Sequence, residues 1–324
     1  MSNVYVTRVI PQPGIELLRQ HLTVEVNESD RPLSHDELCT KAAEYDALVT
    51  LLTDKIDRNV LEAGKGHLKI VANVAVGYDN VDVAAATELG IMVSNTPGVL
   101  TETTADFAWT LLMAVARRVV EGDKFFRAGK FHGWGIMMLL GGDVHGKTLG
   151  IVGFGRIGQA MAKRATGFDM KILYYDPITQ ADDEAARLGA QKVDFDTLLR
   201  ESDFVTLHTP LTEETRHLMS GPQFDTMKSS AYLINTARGP IVDEAALADA
   251  LVEGKIRGAG LDVFEDEPRA NPRLISLDNV VLTPHIASAS VETRTKMATM
   301  AAENVLAAVQ DKRPPTLVNP RVLG

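Results

Sequence analysis

Three polar side chains follow three predicted strands that are consecutive along the chain, and together they could act on a carbonyl compound. Arg238 follows the apolar run YLINTA, Glu267 lies in the acidic loop after GAGLDV, and His285 follows VVLTP. Because ligands bind at the carboxyl ends of parallel strands, we expect these side chains to share one edge of a sheet. Arginine binds carboxylate and carbonyl oxygens with a planar fork of N–H groups, and histidine can donate a proton near neutral pH. A carboxylate beside the imidazole favours its protonated form. These are the groups that reduction of a 2-oxo acid requires.

A glycine-rich turn precedes these residues. Gly153, Gly155 and Gly158 form a GxGxxG turn between an apolar strand and the helical stretch IGQAMAKRAT, and Asp176 ends the next strand. The first glycine permits a tight turn, the second lets the backbone approach a pyrophosphate, and the third allows close packing of helix and strand. The helix N-terminus offers unpaired N–H groups to phosphates. Asp176 lies about 20 residues further on, where a carboxylate accepts hydrogen bonds from a ribose 2′-hydroxyl and repels a 2′-phosphate. The spacing predicts a dinucleotide site and favours NAD, with NADP as the alternative cofactor.

Each of these residues also has a purely structural interpretation. Arg238 could lie on the surface, Glu267 could be an ordinary loop acid before a proline, and His285 could be a capped core residue. The glycine turn could belong to a plain βαβ unit whose strand is capped by Asp176. The order of the three groups behind a cofactor turn favours the functional interpretation.

The elements that must position these groups alternate between β-rich runs and amphipathic segments, which predicts parallel βαβ units. We expect an α/β protein with two doubly wound parallel-sheet domains and a cleft between them. Ser34 and Glu37 form a capping box at the start of one helix, and LTETTADFAWTLLMAVARRVVEG predicts a single long helix. If the last helix, SVETRTKMATMAAENVLAAVQ, returns to the first domain, that domain is discontinuous. The domains are then residues 1–102 with 285–324, a flavodoxin-like substrate domain, and residues 103–284, a Rossmann NAD-binding domain.

Composition excludes several classes of protein. The 324 residues carry a formal net charge of −10, which argues against a nucleic-acid partner because affinity for phosphate backbones depends on Lys and Arg. Cys39 is the only cysteine, so no intrachain disulfide or thiolate metal site is expected. The N-terminus has no signal-peptide pattern, and no apolar stretch is long enough to span a bilayer. The sequence therefore predicts a cytoplasmic protein without a metal or membrane partner.

Five ordered segments resemble the D-2-hydroxyacid dehydrogenase family, and the resemblance extends over essentially the whole chain. They are VGYDNVD (76–82), GKTLGIVGFGRIGQ (146–159), MKSSAYLINTARGPIVDEAALADAL (227–251), AGLDVFEDEP (259–268) and TPHIASAS (283–290). The resemblance implies that Arg238 holds the substrate and that His285, paired with Glu267, is the acid/base. It further implies that the backbone N–H groups of Val76 and Gly77 bind the substrate carboxylate.

The resemblance also implies a set of cofactor contacts. Arg156 and Ile157 would bind phosphate through their backbone N–H groups, and Asp262 would contact the nicotinamide. Residues that would line the nicotinamide and ribose are Thr104, Thr209, Ala237, Asp262, His285 and Ala287. The family pattern after the histidine is Ile-Gly-Ser-Ala, whereas this chain has Ala287 in place of the glycine. The additional methyl group would trim the pocket near the nicotinamide, and we expect the cofactor still to fit.

Within the family, GWGIMMLLGGDVHGKTLGIVG and VNPRV are most similar to glyoxylate/hydroxypyruvate reductases, including those that reduce 2-ketogluconate. Many of these carry an NADP-binding residue at the position of Asp176, so their cofactor preference does not transfer. The family's two-fold dimers imply a homodimer formed by FAWTLLMAVA and KFHGWG. In it, Trp134 would approach the partner's substrate pocket, or it would be a plain interface or core tryptophan. The alternatives are a D-lactate or phosphoglycerate dehydrogenase, and an NAD-binding interaction protein of the co-repressor type.

Overall fold

The computed structural model describes residues 2–324, and these residues fold into two compact units. The first unit comprises Met1–Leu100 and Ala289–Gly324, and the second comprises Thr101–Ser288. The chain thus leaves the first unit once, completes the second, and returns. The assignment of these units to substrate and cofactor stays a prediction.

All strands of both units run parallel to their neighbours. In chain order they are Asn3–Val6 (β1), Thr23–Val26 (β2), Ala47–Thr50 (β3), Ile70–Asn73 (β4), Met92–Ser94 (β5), Thr148–Val152 (β6), Lys171–Tyr175 (β7), Ala190–Lys192 (β8), Phe204–Leu207 (β9), Tyr232–Asn235 (β10), Gly258–Leu261 (β11) and Val280–Leu282 (β12). The first sheet has the order β2-β1-β3-β4-β5, and the second has the order β12-β11-β10-β9-β6-β7-β8. These are the flavodoxin-like order and the Rossmann order extended by one strand, which confirms the predicted fold class.

The helices connect the strands and cover both faces of each sheet. They are Gln12–Arg19 (α1), His35–Glu44 (α2), Arg58–Ala63 (α3), Val83–Glu88 (α4), Thr101–Ala116 (α5), Val119–Arg127 (α6), Arg156–Thr166 (α7), Asp182–Leu188 (α8), Phe195–Glu201 (α9), Gly221–Thr226 (α10), Glu244–Val252 (α11), Pro272–Ile275 (α12) and Val291–Val309 (α13). The predicted capping box is present at α2, where the Ser34 hydroxyl accepts from the Glu37 N–H and the Glu37 carboxylate accepts from the Ser34 N–H.

The first sheet is buried between two layers of helices. One layer combines α1 with α13, whose buried side chains pack against the apolar residues of β1, β3 and β4. The other layer consists of α2, α3 and α4. A Cβ atom at Gly14 of α1 would lie 2.8 Å from the backbone of Ala298 in α13, so these two helices approach each other at a glycine. The last helix of the chain is therefore an integral part of the first unit's core.

The second sheet is buried in the same way. On one face, α5 and α7 contribute Ala105, Ala108, Leu111 and Met161 to a large apolar cluster. On the other face, α9, α10 and α11 contribute Leu198, Phe224 and Leu247. Burial on both faces explains why the central strands are continuous apolar runs without polar alternation.

Two features differ from the sequence-based expectations. The sequence did not predict the strands β2 and β8. Both are short edge strands with partly exposed side chains, and they carry no buried apolar run. The long helix predicted over residues 100–122 is instead two helices, α5 and α6. Arg118 between them adopts the left-handed conformation, with φ 54°, and its guanidinium bonds the Glu121 carboxylate. Among residues 2–324, no helix has the length and apolar character needed to cross a bilayer.

Candidate active site

The carboxyl edge of the second sheet collects most of the predicted site residues. The glycine turn follows β6, which borders the point between β6 and β9 where the strand order reverses, and Asp176 follows the neighbouring strand β7. Thr209 lies beyond β9, Ala237 and Arg238 follow β10, Asp262 follows β11, and His285 lies beyond β12. Ligands of doubly wound sheets bind at this edge, near such a reversal. Thr104 is a buried residue in the first turns of α5.

His285 and Glu267 form a hydrogen-bonded pair. The Nδ1 atom of His285 lies 2.9 Å from Glu267 Oε2, and the other carboxylate oxygen accepts from the Phe264 N–H at 3.1 Å. Burial opposes ionisation of Glu267, but the hydrogen bond and the charge of His285, with a smaller effect of Arg238, outweigh it and lower the pKa of this carboxyl. Glu267 is therefore charged at neutral pH, and its carboxylate lies directly beside the His285 ring.

Asp262 holds the loop that carries His285. One of its carboxylate oxygens accepts from the Thr283 hydroxyl at 2.7 Å and the Ile286 N–H at 2.9 Å, and the other accepts from the Ala287 N–H at 2.7 Å. Its backbone carbonyl accepts from the His285 N–H. His285 has φ 53°, a conformation that non-glycine residues seldom adopt and that surrounding contacts must maintain. Asp262 is fully buried, and burial raises its pKa. Its predicted contact with the nicotinamide stays a prediction.

Arg238 begins the segment that packs against the loop of Glu267. Its carbonyl accepts from the side-chain amide of Asn235 at 2.9 Å, and its Nη1 donates to the Ala237 carbonyl at 2.8 Å. A Cβ atom at Gly239 would lie 1.9 Å from the carbonyl of Phe264, so only glycine allows the two segments to approach so closely. The structure thereby brings the arginine and the carboxylate to neighbouring positions on one sheet edge.

Two other histidines in this unit have different surroundings. Burial lowers the pKa of His208, next to β9, to about 3, so this ring is neutral at physiological pH and cannot supply a proton as imidazolium. His217 Nε2 pairs with Glu265 Oε1 at 2.5 Å, and Glu265 also accepts from the backbone N–H of Glu244. His285 is the histidine that combines a charged partner with a strand-end position.

The three glycines of the turn have three different physical roles. Gly153 has φ 90°, a conformation that favours glycine. A Cβ atom at Gly158 would lie 2.2 Å from the Gly153 carbonyl oxygen. Gly155 has an ordinary φ of −71°, and nothing lies within 4 Å of a Cβ placed there, so neither the backbone nor the packing requires glycine. The absence of a side chain instead keeps open the space in front of the first turn of α7.

The first turn of α7 can bind an anion. Gly155 provides no side-chain cap, and within residues 2–324 the N–H groups of Arg156, Ile157 and Gly158 have no acceptor. Asp176 accepts from the Phe154 N–H at 2.8 Å and from the N–H groups of Ile178 and Thr179. Burial opposes its ionisation, but these hydrogen bonds lower its pKa, so a carboxylate stands beside the glycine turn. An open glycine, free N–H groups and a charged acid fit the diphosphate and ribose of NAD.

The other residues predicted to contact cofactor or substrate lie at strand ends of the second unit and in one loop of the first unit. Ala287 is buried beside Asp262, and Thr209 and Ala237 are partly exposed at their strand ends. Val76 and Gly77 lie in the first unit, in the loop after β4. Asn73, Asn80 and Asn95 contact or support that loop, and sequence reasoning gave them no role, although asparagine at a strand end was an available signal. Within residues 2–324 no cluster of His, Cys, Asp and Glu could hold a metal ion.

Comparisons with known proteins agree with this geometry. Residues 109–287 match the family model described as D-isomer specific 2-hydroxyacid dehydrogenase, NAD binding domain. The glyoxylate reductase of Korarchaeum cryptofilum is 55% identical over 322 residues, 99% of this chain and 96% of that protein. A crystal structure of a protein from Thermus thermophilus has a TM-score of 0.92 and 45% identity, covering 98% of this chain and 99% of that chain.

A third similar protein is the NADPH-dependent glyoxylate/hydroxypyruvate reductase of Sinorhizobium meliloti, solved in complex with citrate. It has a TM-score of 0.85 and 32% identity over 99% of both chains. The family model covers more than half of this chain, and the archaeal relative is similar over nearly its whole length. The chain therefore belongs to the D-isomer specific 2-hydroxyacid dehydrogenase family, as an oxidoreductase with that family's NAD-binding domain.

Proposed function

We propose that this protein reduces a small 2-oxo acid, glyoxylate or hydroxypyruvate, to the D-2-hydroxy acid with NADH as hydride donor. The names of its relatives support this substrate class. The observation that carries the proposal is the His285–Glu267 pair, held by Asp262 at the carboxyl edge of the second sheet. A proton donor with a charged partner is what a carbonyl oxygen requires as it becomes an alcohol.

The pair also determines which nitrogen acts. Glu267 occupies Nδ1 of His285, and within residues 2–324 nothing bonds Nε2. Nε2 therefore donates the proton to the substrate oxygen, while the carboxylate stabilises the imidazolium and fixes the orientation of the ring. In the reverse direction the same atom accepts the hydroxyl proton. Arg238 holds the substrate through the fork of its guanidinium, and the N–H groups of Val76 and Gly77 bind the carboxylate.

The residues at the glycine turn fit a dinucleotide. The N–H groups of Arg156 and Ile157 would hold its diphosphate, Gly155 leaves space for it, and Asp176 would accept from the ribose hydroxyls. The nicotinamide cofactor, when bound, supplies the hydride. Because a charged Asp176 repels a 2′-phosphate, we propose NADH as the preferred cofactor and NADPH as the weaker one. Thr104, Thr209, Ala237, Asp262 and Ala287 complete the proposed cofactor contacts.

A spectrophotometric panel tests this function. Purified protein is mixed with NADH or NADPH and with one 2-oxo acid: glyoxylate, hydroxypyruvate, 2-ketogluconate, pyruvate or 3-phosphohydroxypyruvate. The loss of absorbance of the reduced nicotinamide then reports the rate of reduction. The highest kcat/KM should belong to glyoxylate or hydroxypyruvate with NADH. A preference for pyruvate would identify a D-lactate enzyme, and one for 3-phosphohydroxypyruvate a phosphoglycerate enzyme. Binding of NADH without turnover of any substrate would identify an interaction protein of the co-repressor type.

We also propose that the protein is a cytoplasmic homodimer. Large apolar side chains in residues 119–140 are exposed, among them Phe126, Trp134, Ile136 and Met137. Several exposed large apolar side chains within one segment are typical of a protein interface. The single cysteine leaves no intrachain disulfide, in keeping with a reducing compartment.

A further inference from the structure

The loop after β4 in the first unit has three consecutive peptide carbonyls that are all held by hydrogen bonds. The Ala75 carbonyl accepts from the Thr96 backbone N–H at 2.8 Å, and the Val76 carbonyl accepts from the Asn95 side-chain amide at 2.8 Å. The Gly77 carbonyl accepts from the Asn73 side-chain amide at 3.0 Å. Each donor comes from the end of β4 or from just beyond β5.

Fixing a carbonyl also fixes the N–H group of the following residue. In a trans peptide the C=O of one residue and the N–H of the next lie in one plane and point in opposite directions. The three held carbonyls therefore aim the N–H groups of Val76, Gly77 and Tyr78 away from Thr96, Asn95 and Asn73. Among residues 2–324, none of these three N–H groups has an acceptor. Consecutive free N–H groups of this kind attract an anion.

The two asparagines are themselves tightly held. Asn73 is almost fully buried, its amide also donates to Asn80 Oδ1 at 3.0 Å, and its own oxygen accepts from the Thr50 hydroxyl at 3.1 Å. Asn80 in turn donates to the carbonyls of Leu51 and Asp54. Asn95 bonds Thr316 through its backbone. The loop therefore rests on side chains that contact three different segments of the first unit.

We propose that Asn95 and Asn73 are positioning residues for the substrate carboxylate. Asn95 orients the N–H group of Gly77, and Asn73 orients that of Tyr78, which is a donor to the carboxylate in addition to Val76 and Gly77. This inference rests on the proposed reduction of a 2-oxo acid. Neither asparagine touches the substrate. They keep the peptide planes in the binding orientation before the substrate arrives, so no reorganisation of the loop opposes binding.

Asn95→Ala tests the proposal. Asn95 is only partly buried, and an alanine at this position keeps the backbone hydrogen bonds to Thr316. The KM for glyoxylate should rise about tenfold or more, on the scale of a lost hydrogen bond to a charged group, while kcat changes much less. The Kd for NADH and the pH at which activity falls should stay the same. Asn95→Asp keeps the shape but cannot donate to the Val76 carbonyl and adds a negative charge, so its KM should rise at least as far.

Asn319 provides a matched control in the same unit. It is buried, and its side chain bonds the Ile91 carbonyl and the Val93 N–H, four and two residues before Asn95. Asn319→Ala should lower the melting temperature and leave the KM unchanged. If Asn95→Ala and Asn95→Asp both keep the wild-type KM while the wild type reduces glyoxylate, the positioning role is wrong.

A second measurement separates this inference from the proposed activity. The backbone ¹⁵N–¹H signals of Val76, Gly77 and Tyr78 are followed as oxamate, an unreactive 2-oxo acid analogue, is added to the complex with NADH. All three signals should shift in the wild type, and that of Gly77, whose N–H follows the Val76 carbonyl, should shift less in Asn95→Ala at the same oxamate concentration. Shifts confined to Val76 and Gly77 would exclude Tyr78 as a donor. A wild type that binds NADH but reduces no 2-oxo acid would instead contradict the proposed function.

Discussion

At the scale of single residues, the chemistry depends on which histidine can carry a proton at neutral pH. Burial lowers the pKa of His208 to about 3, so His208 carries no additional proton at neutral pH. His285 and His217 each have a glutamate partner, and the two pairs look alike in composition. They differ in position, since only His285 is held beyond a strand end by a buried aspartate. This difference leads to a direct comparison of the two residues.

His285→Ala should lower kcat by roughly 10²- to 10⁴-fold, the contribution of a positioned general acid, while the Kd for NADH stays nearly unchanged. The measurements are steady-state kinetics, NADH titration and melting temperature on the same preparation. His217→Ala removes the matched pair and should retain the wild-type kcat. A His285→Ala variant that melts early but turns over normally when folded would indicate a core histidine.

The pH dependence of reduction should reflect the Glu267–His285 pair. The lowered pKa of Glu267 keeps its carboxylate charged at neutral pH, and this negative charge is lost only as pH falls through that lowered pKa. On the alkaline side, reduction should fall as the imidazolium loses its proton. Glu267→Gln removes the negative charge that favours the imidazolium, and the alkaline fall should move to lower pH, with activity partly retained in acid. An unmoved profile of kcat against pH would show that the pair does not control the proton.

Cofactor choice should depend on Asp176. Its carboxylate is charged and bonds the glycine turn, so a 2′-phosphate placed beside it would be repelled. NADH should therefore give the larger kcat/KM, and Asp176→Ala should narrow the ratio between NADH and NADPH. The measurement is the ratio of kcat/KM with NADH to kcat/KM with NADPH, for the wild type and for Asp176→Ala, with one 2-oxo acid at fixed ionic strength. A wild type that works markedly better with NADPH would contradict the role assigned to this residue.

At the scale of elements, the turn between β6 and α7 shows how much a motif determines. Sequence alone predicted the strand, the turn and the helix, because glycine spacing and apolar runs are local properties. It also predicted most strand ends of the second sheet, since buried parallel strands are continuous apolar runs. It did not predict β2 or β8, whose pairing depends on a neighbouring strand. Nor did it predict the break at Arg118, whose guanidinium bonds the nearby Glu121 and the Leu140 carbonyl 22 residues further along the chain. Sequence likewise gave no indication that Asp262 bonds the loop of His285.

Two glycine substitutions in that turn should affect different properties, one the affinity for NADH and the other the stability of the fold. Gly155→Ala meets no atom within 4 Å, so the melting temperature should stay the same while the Kd for NADH rises. Gly158→Ala places a methyl group 2.2 Å from the Gly153 carbonyl oxygen, so the protein should lose roughly 1–3 kcal/mol of unfolding free energy, as for overpacked sites. Thermal unfolding without cofactor and NADH titration separate the two effects. Equal destabilisation by both changes would show that the space at Gly155 is structural.

At the scale of the whole molecule, the exposed apolar residues 119–140 predict self-association. Light scattering at micromolar concentration should give twice the chain mass of 35.2 kDa. Ile136→Glu combined with Met137→Glu should produce a monomer, because two charges would be buried in the interface. Ile275→Glu changes a similarly exposed apolar residue outside this segment and should leave the dimer intact. A wild-type mass near that of one chain would exclude the dimer.

The position of α13 has a consequence for how the chain is made. Residues 101–288 are contiguous, so the second unit has all its strands and helices as soon as that stretch has left the ribosome. The first unit has its five strands much earlier, but Met297, Ala301, Ala302 and Val305 of its core are synthesised almost last. Until the entire inserted unit has been synthesised, one apolar face of this sheet is covered by α1 alone. We expect a nascent chain halted before α13 to hold a folded second unit and an open first unit that is vulnerable to proteases and dependent on chaperones.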